Sequence, residues 1–287
     1  MTILFFGVFS PDSTNISQAE AFERAGCKVI RFPYRDHLTC LPERVSEVIG
    51  TVDVVLFSKC NEVDSELVQW IKYSGTKTVL WYMDSMNNVC DSLAKKVALC
   101  DVSLFALNEP CRWASALGVG RSVFLPEGFD PKVDYPEDIP FERDIGFIGD
   151  LDSHTTHLGS KRRNYHRAIG FETIRGVYGH DHAVEVCKTR INLNFTHGGT
   201  SDRTYKVLAA GGFLLTEPWD EMPFIAGEHL DTFNSVESLK VKIAYWLKEP
   251  EDRIRAIAER GMVAVQKYSR DNWAKEIIDW IWNSPIC

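Results

Sequence analysis

Residues 191–217 read Ile-Asn-Leu-Asn-Phe-Thr-His-Gly-Gly-Thr-Ser-Asp-Arg-Thr-Tyr-Lys-Val-Leu-Ala-Ala-Gly-Gly-Phe-Leu-Leu-Thr-Glu. A strand is expected over Ile191–Phe195. A Gly/Ser/Thr-rich loop follows, and a helix begins near Arg203. Ala209-Ala210-Gly211-Gly212 ends that helix tightly before a buried strand at Phe213–Thr216. Strand, helix and strand in this order make a βαβ unit, which implies a parallel sheet. The loop carries its own chemistry. Small residues let backbone N–H groups approach an anion, and the helix N-terminus adds a positive field. Arg203 supplies a forked donor suited to phosphate oxygens.

The same rhythm extends in both directions. Strand-like runs at Asp144–Gly149, Thr173–Tyr178 and Thr232–Asn234 complete a second half, with helices at Arg162–Ile169, His182–Thr189, Val236–Leu247, Glu251–Tyr268 and Arg270–Trp282. The first 125 residues alternate likewise, with strands at Thr2–Phe9, Cys27–Phe32, Asp53–Ser58, Thr78–Met83, Val102–Leu107 and Ser122–Leu125. Several are apolar without alternation, as strands buried on both faces should be. Between the halves, residues 126–143 hold four prolines and six acidic residues and read as a linker. A length of 287 residues fits two domains at about 150 each.

Composition excludes several classes. Hydrophobic residues make up 45% and charged residues 25%, which is globular rather than disordered. Thirty-two Lys and Arg against 40 Asp and Glu give a net charge of −8, against a generic polyanion binder. Lys28, Arg31, Arg35 and Arg44 form the notable basic cluster of the first half. No apolar run is long enough to span a membrane. The N-terminus reads as a first strand rather than a signal peptide, so a cytoplasmic location is expected. The eight cysteines are scattered without a CxxC pair and read as free thiols.

Open α/β sheets bind ligands outside the C-terminal ends of their strands. Four loops qualify. Gly7–Ser13 follows the first strand and holds Asp12. It lacks the GxGxxG fingerprint, and a turn with Asp12 or Ser13 capping a helix is the alternative. Trp81–Asn88 closes the fourth strand and places Asp84 beside aromatic residues. Asp84 suits a general base for an acceptor hydroxyl, or else a helix cap. Asp64 and Glu62 lie farther along a loop. The third loop, Asp150–Ser160, leads into Lys161-Arg162-Arg163 at an expected helix start. Cations there oppose the helix dipole but suit a bound anion, unless the run is merely solvated surface. His154 and His157 lack further ligands, so no metal is expected. The fourth is the Thr196–Asp202 loop already described.

Arg203-Thr-Tyr-Lys-Val-Leu-Ala-Ala-Gly-Gly-Phe-Leu-Leu-Thr216 resembles the R-x-[FY]-E-x-x-A-x-G-x-x-L-L-T signature of CgeB-like glycosyltransferases of the GT-B fold. Asp144–Asp150, Val177-Tyr-Gly179, Phe233–Leu239, Tyr245–Pro250 and Tyr268-Ser-Arg270 are also similar, so the resemblance covers about 144–282. It reaches the first half only through Trp81–Asp84 and Pro126–Asp130. The resemblance implies two Rossmann-like domains facing across a cleft. It implies an acceptor on residues 1–125, a nucleotide-sugar on 144–268, and a last helix, 269–287, packing back on the first domain. It implies hexosyl transfer from a nucleotide-sugar, UDP-sugars favoured, without an obligatory metal or other cofactor.

Candidate donor-binding residues are Gly149, Arg162, Arg163, Ser201, Arg203, Thr204, Tyr205, Lys206 and Glu217. Asp84 and then Asp12 are the candidate bases. The signature's Glu is Lys206 here, which cannot accept ribose hydroxyl hydrogen bonds but can contact phosphate. Glu217 is the candidate substitute. Lys206 also supports an alternative, a non-catalytic module that binds a nucleotide or sugar. Another two-domain α/β enzyme, such as a sugar-nucleotide epimerase, is a further reading. The acceptor is open among glycan, protein and metabolite, with a modified DNA base the minority reading.

Overall fold

A computed structural model describes residues 1–152, 156–196, 199 and 201–282, without the side chains of 156 and 157. The chain divides into two compact α/β units. One is Met1–Glu127 with Arg270–Cys287, and the other is Gly128–Ser269.

The first unit runs β1 (Thr2–Gly7), α1 (Thr14–Arg24), β2 (Lys28–Pro33), α2 (Leu41–Ser46), β3 (Val54–Ser58), α3 (Ser65–Tyr73), β4 (Lys77–Tyr82), α4 (Asp91–Leu99), β5 (Val102–Phe105), α5 (Asn108–Ala116) and β6 (Ser122–Phe124). Its parallel sheet has the order β2-β1-β3-β4-β5-β6. Successive side chains alternate between two cores. Leu4, Phe6, Val55, Phe57, Leu80 and Tyr82 fill one face, and Ile3, Phe5, Val54, Leu56, Val79 and Trp81 the other. Both faces are covered, which explains the unbroken apolar runs.

The second unit runs β7 (Arg143–Ile148), α6 (Thr156–Ile169), β8 (Glu172–Ile174), α7 (His180–Cys187), β9 (Thr189–Asn194), α8 (Asp202–Ala209), β10 (Leu214–Thr216), β11 (Asp231–Thr232), α9 (Val236–Trp246) and α10 (Glu251–Val265). Its parallel sheet has the order β11-β10-β9-β7-β8. Strand order reverses between β1 and β3 in one sheet and between β7 and β9 in the other. Ligand crevices of open α/β sheets lie at such switch points.

After α10 the chain returns to the first unit as α11 (Arg270–Trp282). Trp273, Ala274, Ile277 and Ile281 are buried in the same core as Phe5 and Phe22. The Trp273 ring lies 5.2 Å from Phe22 and 5.3 Å from Trp81. An Arg24–Asp271 ion pair of 2.6 Å ties α11 to α1.

Several expected boundaries differ, three of them by more than a few residues or in the region of the site. The helix expected from Arg162 begins at Thr156, so Lys161-Arg162-Arg163 sit in its second turn rather than at its N-terminus. The strand expected to reach Tyr178 stops at Ile174, where Gly176 adopts φ 72°. Much of the proline-rich 126–143 stretch folds onto the second unit. Phe129, Asp130 and Asp134 are buried, and the Asp130 amide donates to Asp134 Oδ2 at 2.8 Å.

Candidate functional site

In the second unit, β7 ends at Ile148, just before Gly149, and β9 ends at Asn194 close to the start of α8. Arg203, in the first turn of α8, sends its guanidinium across the crevice. Its Cζ lies 4.9 Å from the centroid of the Phe147 ring, and Arg162 approaches the same ring at 5.2 Å. Arg162 Nη1 donates to the Asp150 carbonyl at 2.9 Å, while its buried Nε has no partner among the described residues. Burial, and then the charge of Arg203, push the Arg162 guanidinium down to about 10. Two cations thus gather at one aromatic ring against their mutual repulsion, an arrangement that an anion would relieve.

Asn194 sets the position of Arg203. Its Nδ2 donates to Thr204 Oγ1 at 3.1 Å and Thr216 Oγ1 at 3.2 Å, leaving Oδ1 to accept from Arg203 Nη1 at 3.3 Å. Gly149 completes the crevice at φ 151°. A Cβ there would lie 2.8 Å from Arg203 Nη2 and 3.0 Å from the Phe147 ring. Behind α8, His182 is held neutral, pushed down to about 3 by burial and then by the charges of Lys206 and Arg203.

Glu217, at the end of β10, is buried in a lock of its own. It accepts from Tyr165 Oη at 3.1 Å and from the Thr196 amide at 3.0 Å, and pairs with Lys161 Nζ at 2.7 Å. Lys161 also donates to the Thr196 carbonyl at 3.2 Å. Thr196 is therefore held at both its amide and its carbonyl, which fixes where the following loop departs.

In the first unit, Asp84 follows β4 and pairs with Lys59 Nζ at 2.6 Å. Asp84 caps neither of the helices that follow it. The short turn at Met86–Asn88 has Ser85 at its N-cap, and α4 has Cys90. Asp12 is exposed in a turn closed by the Ser13 amide on the Ser10 carbonyl, 2.8 Å. A hydrogen bond from Ser10 holds its carboxyl below the usual range. Ser13 caps α1, Asp64 caps α3, and Glu62 pairs with Arg35 at 2.9 Å. Asn15 bridges the β1 and β3 ends, accepting from the Val8 amide at 2.9 Å and donating to Ser58 Oγ at 2.8 Å. The basic cluster is neutralised locally, Arg31 by Glu23 and Arg44 by Glu47.

Residues 144–279 match the glycosyl transferase-like family model. This glycosyl transferase-like segment spans 144–279, so it contains Gly149, Phe147, Arg162, Asn194, Arg203 and Glu217. No curated protein matches the chain significantly. Among solved structures, the chain is similar to Anabaena Alr3699/HepE in complex with UDP-glucose. The TM-score is 0.71 at 11% identity, over 97% of this chain and 99% of that one. A structure described as trehalose-6-phosphate from E. coli bound with UDP-2-fluoro glucose gives 0.68 at 9% identity over 98% and 99%. AviGT4, a glycosyltransferase involved in avilamycin A biosynthesis, gives 0.61 at 11% over 98% and 97%. The chain has the GT-B fold.

Within the glycosyl transferase-like segment, the structure brings together Gly149, Arg162, Arg203 and, through Asn194, Thr204. Ser201 takes the N-cap position of α8. Besides Glu217 in its lock, three expected donor residues lie elsewhere or are engaged otherwise. Tyr205 is buried against Phe224 and Tyr268. Arg163 is half-exposed and pairs with Asp152 at 2.6 Å. Lys206 pairs with Asp202 at 2.6 Å. His197, Gly198 and Thr200 of the loop lie outside the described residues, as do His154 and the side chain of His157. Among the described residues, no three His, Cys, Asp or Glu are grouped to hold a metal ion, and no helix is long and apolar enough to cross a membrane. Phe147, Asn194 and Lys59 were not singled out by the sequence, and Lys161 was marked only as part of its basic run.

Gly149→Ala tests the crevice directly. The added methyl group meets the Arg203 guanidinium, so UDP affinity should fall about tenfold, the equivalent of roughly 1.4 kcal/mol. Calorimetric titration of a folded variant checks it. Wild-type affinity would place nucleotide binding away from this turn.

Proposed function

We propose that the chain is a glycosyltransferase that moves a hexosyl group from a nucleotide-sugar, UDP-sugars favoured, to a hydroxyl acceptor. The Arg162–Arg203 pair over Phe147 carries this reading. A nucleoside diphosphate leaving group gathers negative charge as the glycosidic bond breaks. Two preorganised guanidiniums and the α8 amides would stabilise that charge, and they supply the positive field that a divalent cation otherwise brings. EDTA is therefore expected to leave turnover unchanged. The glycosyl transferase-like match and the UDP-sugars bound in similar structures support the same donor class.

Phosphate contacts are assigned to Arg162 and Arg203, rather than to Arg163 or Tyr205. Asp84 is assigned as the base that takes the acceptor proton, ahead of Asp12. The Asp202–Lys206 pair favours one alternative, a nucleotide-binding module without turnover, because no carboxylate stands at the signature's Glu position.

A panel of nucleotide-sugars, with released nucleotide read by mass spectrometry, separates these readings. Slow nucleotide release even without acceptor supports a transferase. UDP stabilisation of the fold with no release from any donor would establish the binding module instead.

A further inference from the structure

Lys96, on α4, is a buried cation that the reaction above does not use. It is 2% exposed, and burial pushes its ammonium below the ordinary lysine range. Lysine is almost never this buried unless paired. Among the described residues it forms no ion pair. Its partners are two main-chain carbonyls in the loop after β3, Cys60 at 2.5 Å and Asn61 at 3.4 Å.

That loop is strained. The Cys60 amide donates back to the Ser58 carbonyl at 2.8 Å, closing a three-residue turn around Lys59. Lys59 has φ 59° and Cys60 φ 52°. A γ-turn with a positive central φ is rare, and two successive non-glycine residues in this region persist only where their surroundings hold them. The Lys59 amide is tied to the Trp81 carbonyl at 2.8 Å. Asn15 anchors Ser58 from the other side of the β1/β3 switch point. The outcome of this turn is the direction of Lys59, whose ammonium reaches Asp84 Oδ1 at 2.6 Å.

We propose that Lys96 is a positioning residue: by gripping the Cys60 and Asn61 carbonyls it holds the strained Ser58–Lys59–Cys60 turn, which aims Lys59 at Asp84 and fixes that carboxylate. This rests on the reading of Asp84 as the acceptor-side base. An ordinary solvated loop would need no buried ammonium. A carboxylate that must meet an acceptor hydroxyl in one geometry gains from a fixed cationic neighbour, since misplacement by about 1 Å can cost a hundredfold in rate.

The test is a double-mutant cycle with a structural arm. Lys96→Met should lower kcat roughly ten- to a hundredfold and leave the donor KM unchanged. In a Lys59→Met background the same change should do nothing further, because Lys96 acts through Lys59. The crystal structure of Lys96→Met should show Lys59 and Cys60 at negative φ and the Lys59–Asp84 separation beyond about 4 Å. If Lys96→Met does not fold, Lys96→Gln, which keeps one donor for a carbonyl, serves in the same cycle. Additive effects, or an unchanged Lys59–Asp84 pair, would overturn the positioning role. Wild-type protein without sugar transfer would sink the transferase reading instead, and the two failures are told apart by the structural arm.

Discussion

Asp84→Asn is expected to lower sugar transfer about a hundred- to ten-thousandfold while nucleotide affinity stays at its wild-type value. General-base removal typically has that magnitude. Asparagine keeps the shape of the side chain and its hydrogen bond capacity toward an acceptor hydroxyl, but it cannot take the proton. It also leaves Lys59 without the carboxylate now 2.6 Å away. Lys59→Met in the same background separates the two effects, because it removes the ammonium that would otherwise be left unpaired. The readout is turnover at saturating donor, with UDP titration as the control. Near wild-type turnover in a folded variant would remove Asp84 from the role. It would then point to Asp12, or to retention of configuration with the leaving phosphate as proton acceptor.

Arg203→Ala should weaken UDP binding ten- to a hundredfold. A charge-assisted hydrogen bond contributes roughly 1.5–3 kcal/mol, and tenfold in affinity is about 1.4 kcal/mol. Arg162→Ala should behave similarly. Arg203→Lys keeps the charge but loses the fork and the stack on Phe147, so it should recover only part of the loss. Arg203→Ala also leaves Asn194 Oδ1 without the donor it now has at 3.3 Å, so a modest fall in Tm should accompany the affinity loss. Calorimetry on a folded variant decides the matter, and unchanged UDP affinity would remove Arg203 from the site.

Both crevices lie at loops that the strand–helix rhythm marks out, and Arg162, Arg203 and Asp84 stand in those loops or beside them. Which neighbours share the site depends on helical phase. Residues advance about 100° per step, so Tyr205 lies roughly 200° around α8 from Arg203 and enters the opposite core. Arg162 turns inward while Arg163 reaches solvent, and that phase was hidden because α6 begins at Thr156, six residues before its expected start. Phe147 looks like any core aromatic until two arginines are found on it. The Lys161–Glu217 pair joins positions far apart in sequence. The positive φ at Lys59 and Cys60 has no signature, because both residue types normally avoid it.

The return of α11 to the first unit has a consequence for synthesis on the ribosome. Residues 1–127 emerge first, yet Trp273, Ile277 and Ile281, which cover one face of their sheet, are made only after the whole of 128–269. At about 5–20 residues per second, that face waits on the order of ten seconds for its cover. The second unit, contiguous in sequence, can close before the first. Nascent chains stalled ahead of α11 should therefore present a bare aromatic and aliphatic surface to chaperones, a vulnerability that chains stalled after α11 would lack.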